Sequence, residues 1–305
     1  MTALPLSLAD LAAHRRGILY MLVTTFFWVA SDTLVKLLSA DYSTVQILWA
    51  RYTFHFVLLL AFLRGSVRIA VRTRLPLLQI ARSSLTLIST AGFFVALTRV
   101  PIADANAVFA LTPVLVTVLS VPLLGETVGP RRWFAAGLGF FGALVIIRPG
   151  LGVADPLLVL ALASGAISAL YQILTRRLGR AEPVLCTVFY TPVAGLVVSV
   201  AAAPFFWTPP DAAGWGLMLA LGLSSGIAHT CIVKAMEAAP ASVVAPLGYS
   251  SLVWATLLGF VVFGHLPDGF TVLGALLIVS GGLYIFYRER RAAAAATANA
   301  GEASN

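Results

Sequence analysis

Apolar runs of fifteen to twenty-odd residues, broken by short segments that hold most of the charge, fill this chain between residues 17 and 287. They lie at 17–38, 44–63, 76–98, 103–124, 133–147, 156–174, 184–203, 215–235, 242–263 and 269–287. Each is near the ~20 residues of helix that cross about 30 Å of hydrocarbon, so ten transmembrane helices are predicted. The fifth run is short and is expected either to tilt little or to extend at its ends. Residues 1–16 read as a cytoplasmic tail, and 289–305 as a disordered, low-complexity tail with nothing to bury.

The pattern is written twice. The segment VPIADANAVFALTPVLVTVLSVPLLGE, starting at Val100, aligns without a gap on a segment starting at Ala239. Pro101 meets Pro240, Thr117 meets Thr256, Leu119 meets Leu258 and Gly125 meets Gly264; the same 139-residue offset carries Ala136 onto Ala275, Gly142 onto Gly281 and Ile146 onto Ile285. A constant offset over about fifty residues marks a duplication, giving units at 17–150 and 151–288. Five spans is an odd number, so the second unit enters the membrane from the opposite face. The halves are therefore an inverted repeat, an arrangement that places a binding site near the midplane between them.

Composition agrees: 60% hydrophobic and 10% charged residues, with a mean hydropathy of +0.95, leave too little polar surface to cover a soluble globule. The net charge of +8 does not point to nucleic acid, because the basic residues sit in short loops between apolar runs. They set orientation instead. With the amino terminus inside, the inner face holds Arg15, Arg16, Arg64, Arg68, Arg72, Arg74, Arg131, Arg132, Arg176, Arg177, Arg180, Lys234, Arg288, Arg290 and Arg291, with Arg82 just inside the third span. The outer side holds Lys36, Arg51, Arg99 and Arg148. Both termini are expected to be cytoplasmic. A cleaved signal peptide is not expected, since Asp32 and Lys36 occupy the cleavage region and nine runs follow. Cys186 and Cys231 both fall in apolar runs and suggest neither a disulfide framework nor a metal site.

Polar side chains inside the runs are the candidate chemistry, because each is expensive there unless it faces a cavity or a partner. Asp32 and Lys36 share a face of the first span and can pair along the helix. Arg51 and His55 repeat that spacing in the second, where Arg51 is read as snorkelling to the outer interface. Asn106 precedes Pro113 in the fourth span, and Pro113 should displace the Phe109 carbonyl; Pro246 does the equivalent in the ninth, near Ser242. Both prolines are candidate helix breaks or gating points. Gly222 and Gly226 form a small-xxx-small face beside His229. Asp32, His55 and His229 are candidates for proton coupling. Trp28, Phe93, Tyr171, Gln172, Tyr249 and Trp254 offer aromatic and amide surface to a flat or zwitterionic solute. The substrate-binding set is thus Trp28, Asp32, Lys36, Asn106, Tyr171, Gln172, His229, Tyr249 and Trp254, each with a competing reading as packing. No catalytic or metal-ligating constellation and no cofactor is expected. The string GLGFFG at 137–142 matches a dinucleotide-binding fingerprint in letters only, since it lies within an apolar span, follows no strand and has no acidic residue at the right distance; its glycines are read as helix packing.

The entry motif ALTRVPIADANA at 96–107, the run TPVLVTVLSVPLLGE at 112–126, the RPG close at 148–150, and ALYQILTRRL and APASVVAPLGY at 169–178 and 239–249 resemble the EamA-type drug/metabolite transporter superfamily. That resemblance implies a ten-helix carrier of the cell inner membrane working by alternating access. Its central cavity would be lined by spans 1, 3, 4, 6, 8 and 9. The solute would be a small polar or amphipathic metabolite, with efflux the favoured direction. Uptake of riboflavin or S-adenosylmethionine, or export of an opine metallophore, are the alternatives inside the family; a channel or assembly partner is the alternative outside it. The expected partners are the substrate and the lipid bilayer, with a homodimer left open.

Overall fold

The computed structural model describes residues 8–125, 129–148, 155–178, 181–239 and 241–302; no strand occurs among them. Among the described residues, ten helical stretches are long and apolar enough to cross a membrane: Ala13–Leu38, Thr44–Leu63, Pro76–Leu97, Ile102–Leu124, Pro130–Ile147, Leu157–Leu178, Val184–Phe206, Ala212–Ala238, Ala245–Phe263 and Gly269–Arg288. We number these spans 1 to 10. The fold is an all-α membrane protein of two five-helix repeats, as the hydrophobic pattern predicts. The short fifth run is resolved by extension, since its helix begins at Pro130, a residue suited to the first turn because it lacks an N–H that would go unused.

The ends depart from expectation. The first helix starts at Leu8, and the last runs from Gly269 to Glu302, well past span 10 and through the tail read as disordered. The alanine run 292–296 has the highest intrinsic helix propensity and continues a helix already nucleated in the membrane.

Contacts between spans repeat under exchange of the halves. Span 1 packs along span 8 as span 6 packs along span 3; span 2 meets span 8 as span 7 meets span 3; span 1 meets span 9 as span 6 meets span 4. Spans 5 and 10, 4 and 9, and 2 and 7 meet their own counterparts. A twofold relation between the halves produces this pattern. At the span 5–10 contact it holds to the residue. A Cβ on Gly142 would lie 2.6 Å from the Gly274 carbonyl oxygen, and one on Gly281 would lie 2.6 Å from that of Ala135. Gly142 and Gly281 are repeat mates, and so are Ala135 and Gly274. Lipid tails give helices no hydrophobic reason to associate, so close backbone approach through small residues supplies the packing. Gly142 and Gly139 pack as expected, but Gly137 faces open space. The repeat also sets where spans 4 and 9 stop. Gly125 and Gly264 both take φ of 69°, the left-handed conformation that closes a helix, and their N–H groups donate to Val121 and Phe260 carbonyls.

Three spans are broken. Span 4 is a helix Ile102–Phe109, a turn at Ala110 and Leu111, and a helix Thr112–Leu124, the break falling where Pro113 collides with the carbonyl four residues earlier. That carbonyl, Phe109, is taken by the Thr112 hydroxyl at 2.6 Å, so the backbone group freed by Pro113 is already satisfied. Span 9 begins as a 3₁₀ turn, Ala245–Tyr249, around Pro246, then continues as Ser250–Phe263. Span 7 divides into Val184–Tyr190 and Val193–Ala202 at Pro192, a break not anticipated although Thr191-Pro192 repeats the Thr112-Pro113 dipeptide. Ser83 fills it: its hydroxyl donates to the Thr191 carbonyl at 3.0 Å and accepts from the Ala194 N–H at 2.9 Å. Thr112→Val should therefore lower stability by about 1–2 kcal/mol, the cost of a buried carbonyl left without a donor, whereas Thr112→Ser should not. Thermal unfolding of the purified protein in detergent would show the difference.

Near the start of span 10 the Arg148 guanidinium pairs with the Asp268 carboxylate and lies over the Phe270 ring. Burial works to raise the Asp268 carboxyl, but the Thr271 backbone N–H and the Arg148 guanidinium outweigh it and hold it below the ordinary carboxylate range. A carboxyl with a lowered folded-state value contributes stability above its unfolded value and loses it as pH falls through the lowered one. Asp268→Asn should accordingly remove a small acid-side limb from the melting-midpoint profile below about pH 4, leaving the neutral region flat.

Candidate functional site

Spans 1, 2, 3, 4, 6 and 8 bring their polar side chains together in the interior of the bundle. Asp32, 8% exposed, accepts from Asn106 Nδ2 at 3.1 Å; the same Nδ2 also donates to the Ile102 carbonyl one turn back. The first segment of span 4 thus presents its amide to the carboxylate of span 1. Lys36 does not pair with Asp32. Its ammonium donates to the carbonyls of Leu97 at 3.0 Å and Val100 at 2.6 Å, closing the end of span 3. A cation at the carboxyl end of a helix completes carbonyls that have no partner and meets the negative end of the dipole. That use of Lys36 is structural and corrects the expected pairing.

The two membrane histidines are a pair. His55 on span 2 and His229 on span 8 place their rings 4.7 Å apart, and Trp28 of span 1 meets His229 edge-on at 6.5 Å. His229 Nδ1–H donates to the Ser225 carbonyl at 3.0 Å, which leaves Nε2 of the neutral ring as an acceptor. The rings reach each other because spans 2 and 8 lie close. A Cβ on Gly222 would fall 2.1 Å from Phe54 Cβ, and one on Gly226 2.5 Å from Leu58 Cδ2, so the small-xxx-small face packs as read from the sequence. Ser31 and Ser225 hydroxyls, 3.4 Å apart, join the same region of spans 1 and 8.

Two arginines complete the set. Arg51 does not snorkel outward. Its guanidinium lies 5.1 Å from the Phe94 ring and within electrostatic range of Asp32, His55 and His229. Arg82 is fully buried. It donates through Nη2 to the Thr187 carbonyl and, at 2.9 Å, to Thr191 Oγ1, and its guanidinium stands 5.2 Å from the Tyr171 ring. This ties the inner part of span 3 to spans 6 and 7. Charge spacing assigns Arg82 to the inner face; Thr187 and Thr191, one turn apart in span 7, draw it into the bundle instead.

The remaining expected site residues separate. Tyr171 belongs to the interior set through Arg82, whereas Gln172 is exposed and has no hydrogen bond among the described residues. Trp254 packs edge-on against Phe26 at 5.4 Å, between spans 1 and 9. Tyr249 lines a different space, an apolar cavity of about 650 Å³ between spans 4, 9 and 10 that also includes Ala107, Leu252 and Thr256. Its hydroxyl abuts Gly282, where a Cβ would come within 1.7 Å. The Phe93 ring of span 3 meets the Phe109 ring at a tilt, centroids 4.8 Å apart, beside the break in span 4.

A match to the EamA-like transporter family covers residues 15–148 and 156–287, one repeat on each half. The chain is 25% identical over 281 residues to an S-adenosylmethionine uptake transporter of Rickettsia prowazekii (strain Madrid E), covering 92% of this chain and 96% of that one. It is 34% identical over 249 residues to a riboflavin transporter of Rhizobium johnstonii, covering 79% and 80%. A pseudopaline exporter of Pseudomonas aeruginosa (strain UCBPP-PA14) is 25% identical over 270 residues, covering 87% and 94%. Two matched repeats, ten apolar spans and relatives named as transporters that align over most of their length lead to one conclusion: this chain belongs to the EamA-like transporter family.

Proposed function

We propose that the protein is a secondary transporter moving a small polar or amphipathic metabolite across the cell inner membrane by alternating access. The observation that carries this reading is the gathering of Asp32, Asn106, His55, His229, Arg51 and Arg82 between halves whose helix contacts repeat under a twofold exchange. Buried polar groups in a membrane are costly, and a binding site is the usual reason to keep them. Two related halves can trade conformations, so what closes on one side opens on the other. The side chains that would contact solute are Asp32, Asn106, Trp28, Tyr171 and His229, with His55 beside it.

The loops support an orientation with both termini in the cytoplasm. Impermeant labelling of tags on the two ends of the protein in inverted and right-side-out vesicles tests it; labels on opposite sides would defeat it. Counterflow tests the carrier. In proteoliposomes, transported solute on the far side should accelerate tracer entry by several-fold, and a channel would show no such acceleration. Riboflavin and S-adenosylmethionine, named for relatives, are the first solutes to try.

A further inference from the structure

The twofold pattern breaks at one contact, that of span 9 with span 10. In the first half the second segment of span 4 packs against span 5, and Gly139 makes the approach possible: a Cβ there would lie 3.0 Å from Leu111 Cδ1 and 3.3 Å from Val114 Cγ2. Leu111 and Val114 are both fully buried. In the second half the repeat mate of Gly139 is Ile278, a buried β-branched side chain that lies against Gly142 of span 5 instead. The mates of Leu111 and Val114 are Ser250 and Val253, and Val253 is 65% exposed. Past its opening turn, span 9 makes little contact with span 10. A glycine admits a facing helix to close range and an isoleucine does not, so the asymmetry is written in the sequence.

Where the spans stay apart lies the cavity of about 650 Å³, a volume within the ordinary range of ligand sites. Its floor is the first segment of span 4, through Ala103 and Ala107, the segment that carries Asn106. Val253, Phe260 and Leu276 form exposed lips, so the cavity opens sideways into hydrocarbon. Thr256 in the wall gives its hydroxyl to the Leu252 carbonyl of its own helix. From Leu252 to Phe260 the wall rises about 12 Å, close to the ~15 Å of hydrocarbon in one leaflet. The groove ends at Leu266 and Pro267, and the next residue, Asp268, carries the ion pair with Arg148.

We propose that this groove is a binding site for a zwitterionic phospholipid of the leaflet beside the loop between spans 9 and 10, one acyl chain lying between the two spans. An apolar slot one leaflet deep, open to the bilayer along its side, takes a chain lengthwise. The opposite charges at its mouth are complementary to the phosphate and ammonium of the headgroup. The chain supplies the packing that span 5 gives span 4 in the other half, and it rests on the segment that presents Asn106 to Asp32. The site follows from the fold and does not depend on the carrier reading.

The test uses the purified full-length protein, taken from nanodiscs of phosphatidylethanolamine into mild detergent and weighed by native mass spectrometry. The expected result is one phospholipid retained per chain. Val253→Trp at the lip and Ala275→Phe in the wall should each lower the retained fraction at least fivefold. Val198→Phe, on the exposed face of span 7, should leave it unchanged. Should Ala275→Phe fail to fold, Val253→Trp decides the matter alone. Long-chain lysophosphatidylethanolamine should displace the lipid, and glycerophosphoethanolamine, which has the headgroup without a chain, should not. No retained lipid in the unmodified protein, equal retention in Val253→Trp, or displacement by the chainless headgroup would overturn the proposal.

Discussion

Asp32→Ala is expected to reduce counterflow by about 10-fold to 100-fold, the equivalent of losing one charge-assisted hydrogen bond of roughly 1.5–3 kcal/mol at a binding step. The argument starts from the neighbours. Without the carboxylate, Asn106 Nδ2 keeps only the Ile102 carbonyl, and Arg51 loses the negative charge in its range. Asp32→Asn keeps an acceptor for Asn106 but not the charge, so it separates the two contributions. If the amide variant transports normally, geometry at span 4 is what matters; if it is as poor as alanine, charge is. Initial rates of tracer exchange in proteoliposomes with equal protein incorporation give both numbers. Unchanged exchange in Asp32→Ala, Asn106→Ala and His229→Ala together would mean that the solute passes elsewhere.

The second large effect is on folding. Gly142→Leu and Gly281→Leu should each destabilise the protein by about 2–4 kcal/mol or prevent its recovery, because a side chain at either position drives into a backbone carbonyl of the facing helix. A flexible side chain can move aside; a helix carbonyl cannot without shifting the span. The two variants should be similar in size, since repeat mates make the same contact from opposite sides. Gly137→Leu, with nothing within 4 Å, is the matched control and should be close to neutral. Melting midpoints of the three variants, read by fluorescence-detected size exclusion after heating, would distinguish them.

Those glycines also show what the sequence could and could not convey. Hydropathy gave ten spans because apolar length is a one-dimensional property, and the 139-residue offset gave the repeat because it needs only self-comparison. The break at Pro113 and the packing of Gly222 and Gly226 were legible because a proline ring and a missing Cβ act locally. Partners across the bundle were not. Lys36 sits one turn from Asp32 yet reaches Leu97 and Val100, and nothing in its own helix says so. Spans that are apolar on most sides carry little information about which face turns inward. Arg51, near an outer end, and Arg82, near an inner one, therefore looked like interfacial charges. Tyr249 and Trp254 were grouped with Tyr171 by residue type and motif, but rotation about spans 9 and 6 sends them to different neighbours. His55 and His229, 174 positions apart, could be singled out by cost but not paired.

The proposed alternating access would open the region around His229 to each side of the membrane in turn, and one measurement reaches it directly. A single cysteine placed by His229→Cys, in a background with Cys186 and Cys231 replaced by serine or alanine, is labelled with a membrane-impermeant maleimide from each side of oriented vesicles. Labelling from both sides, with added solute or a pH jump favouring one side at the expense of the other, is the predicted result. Labelling from one side alone under every condition would contradict it.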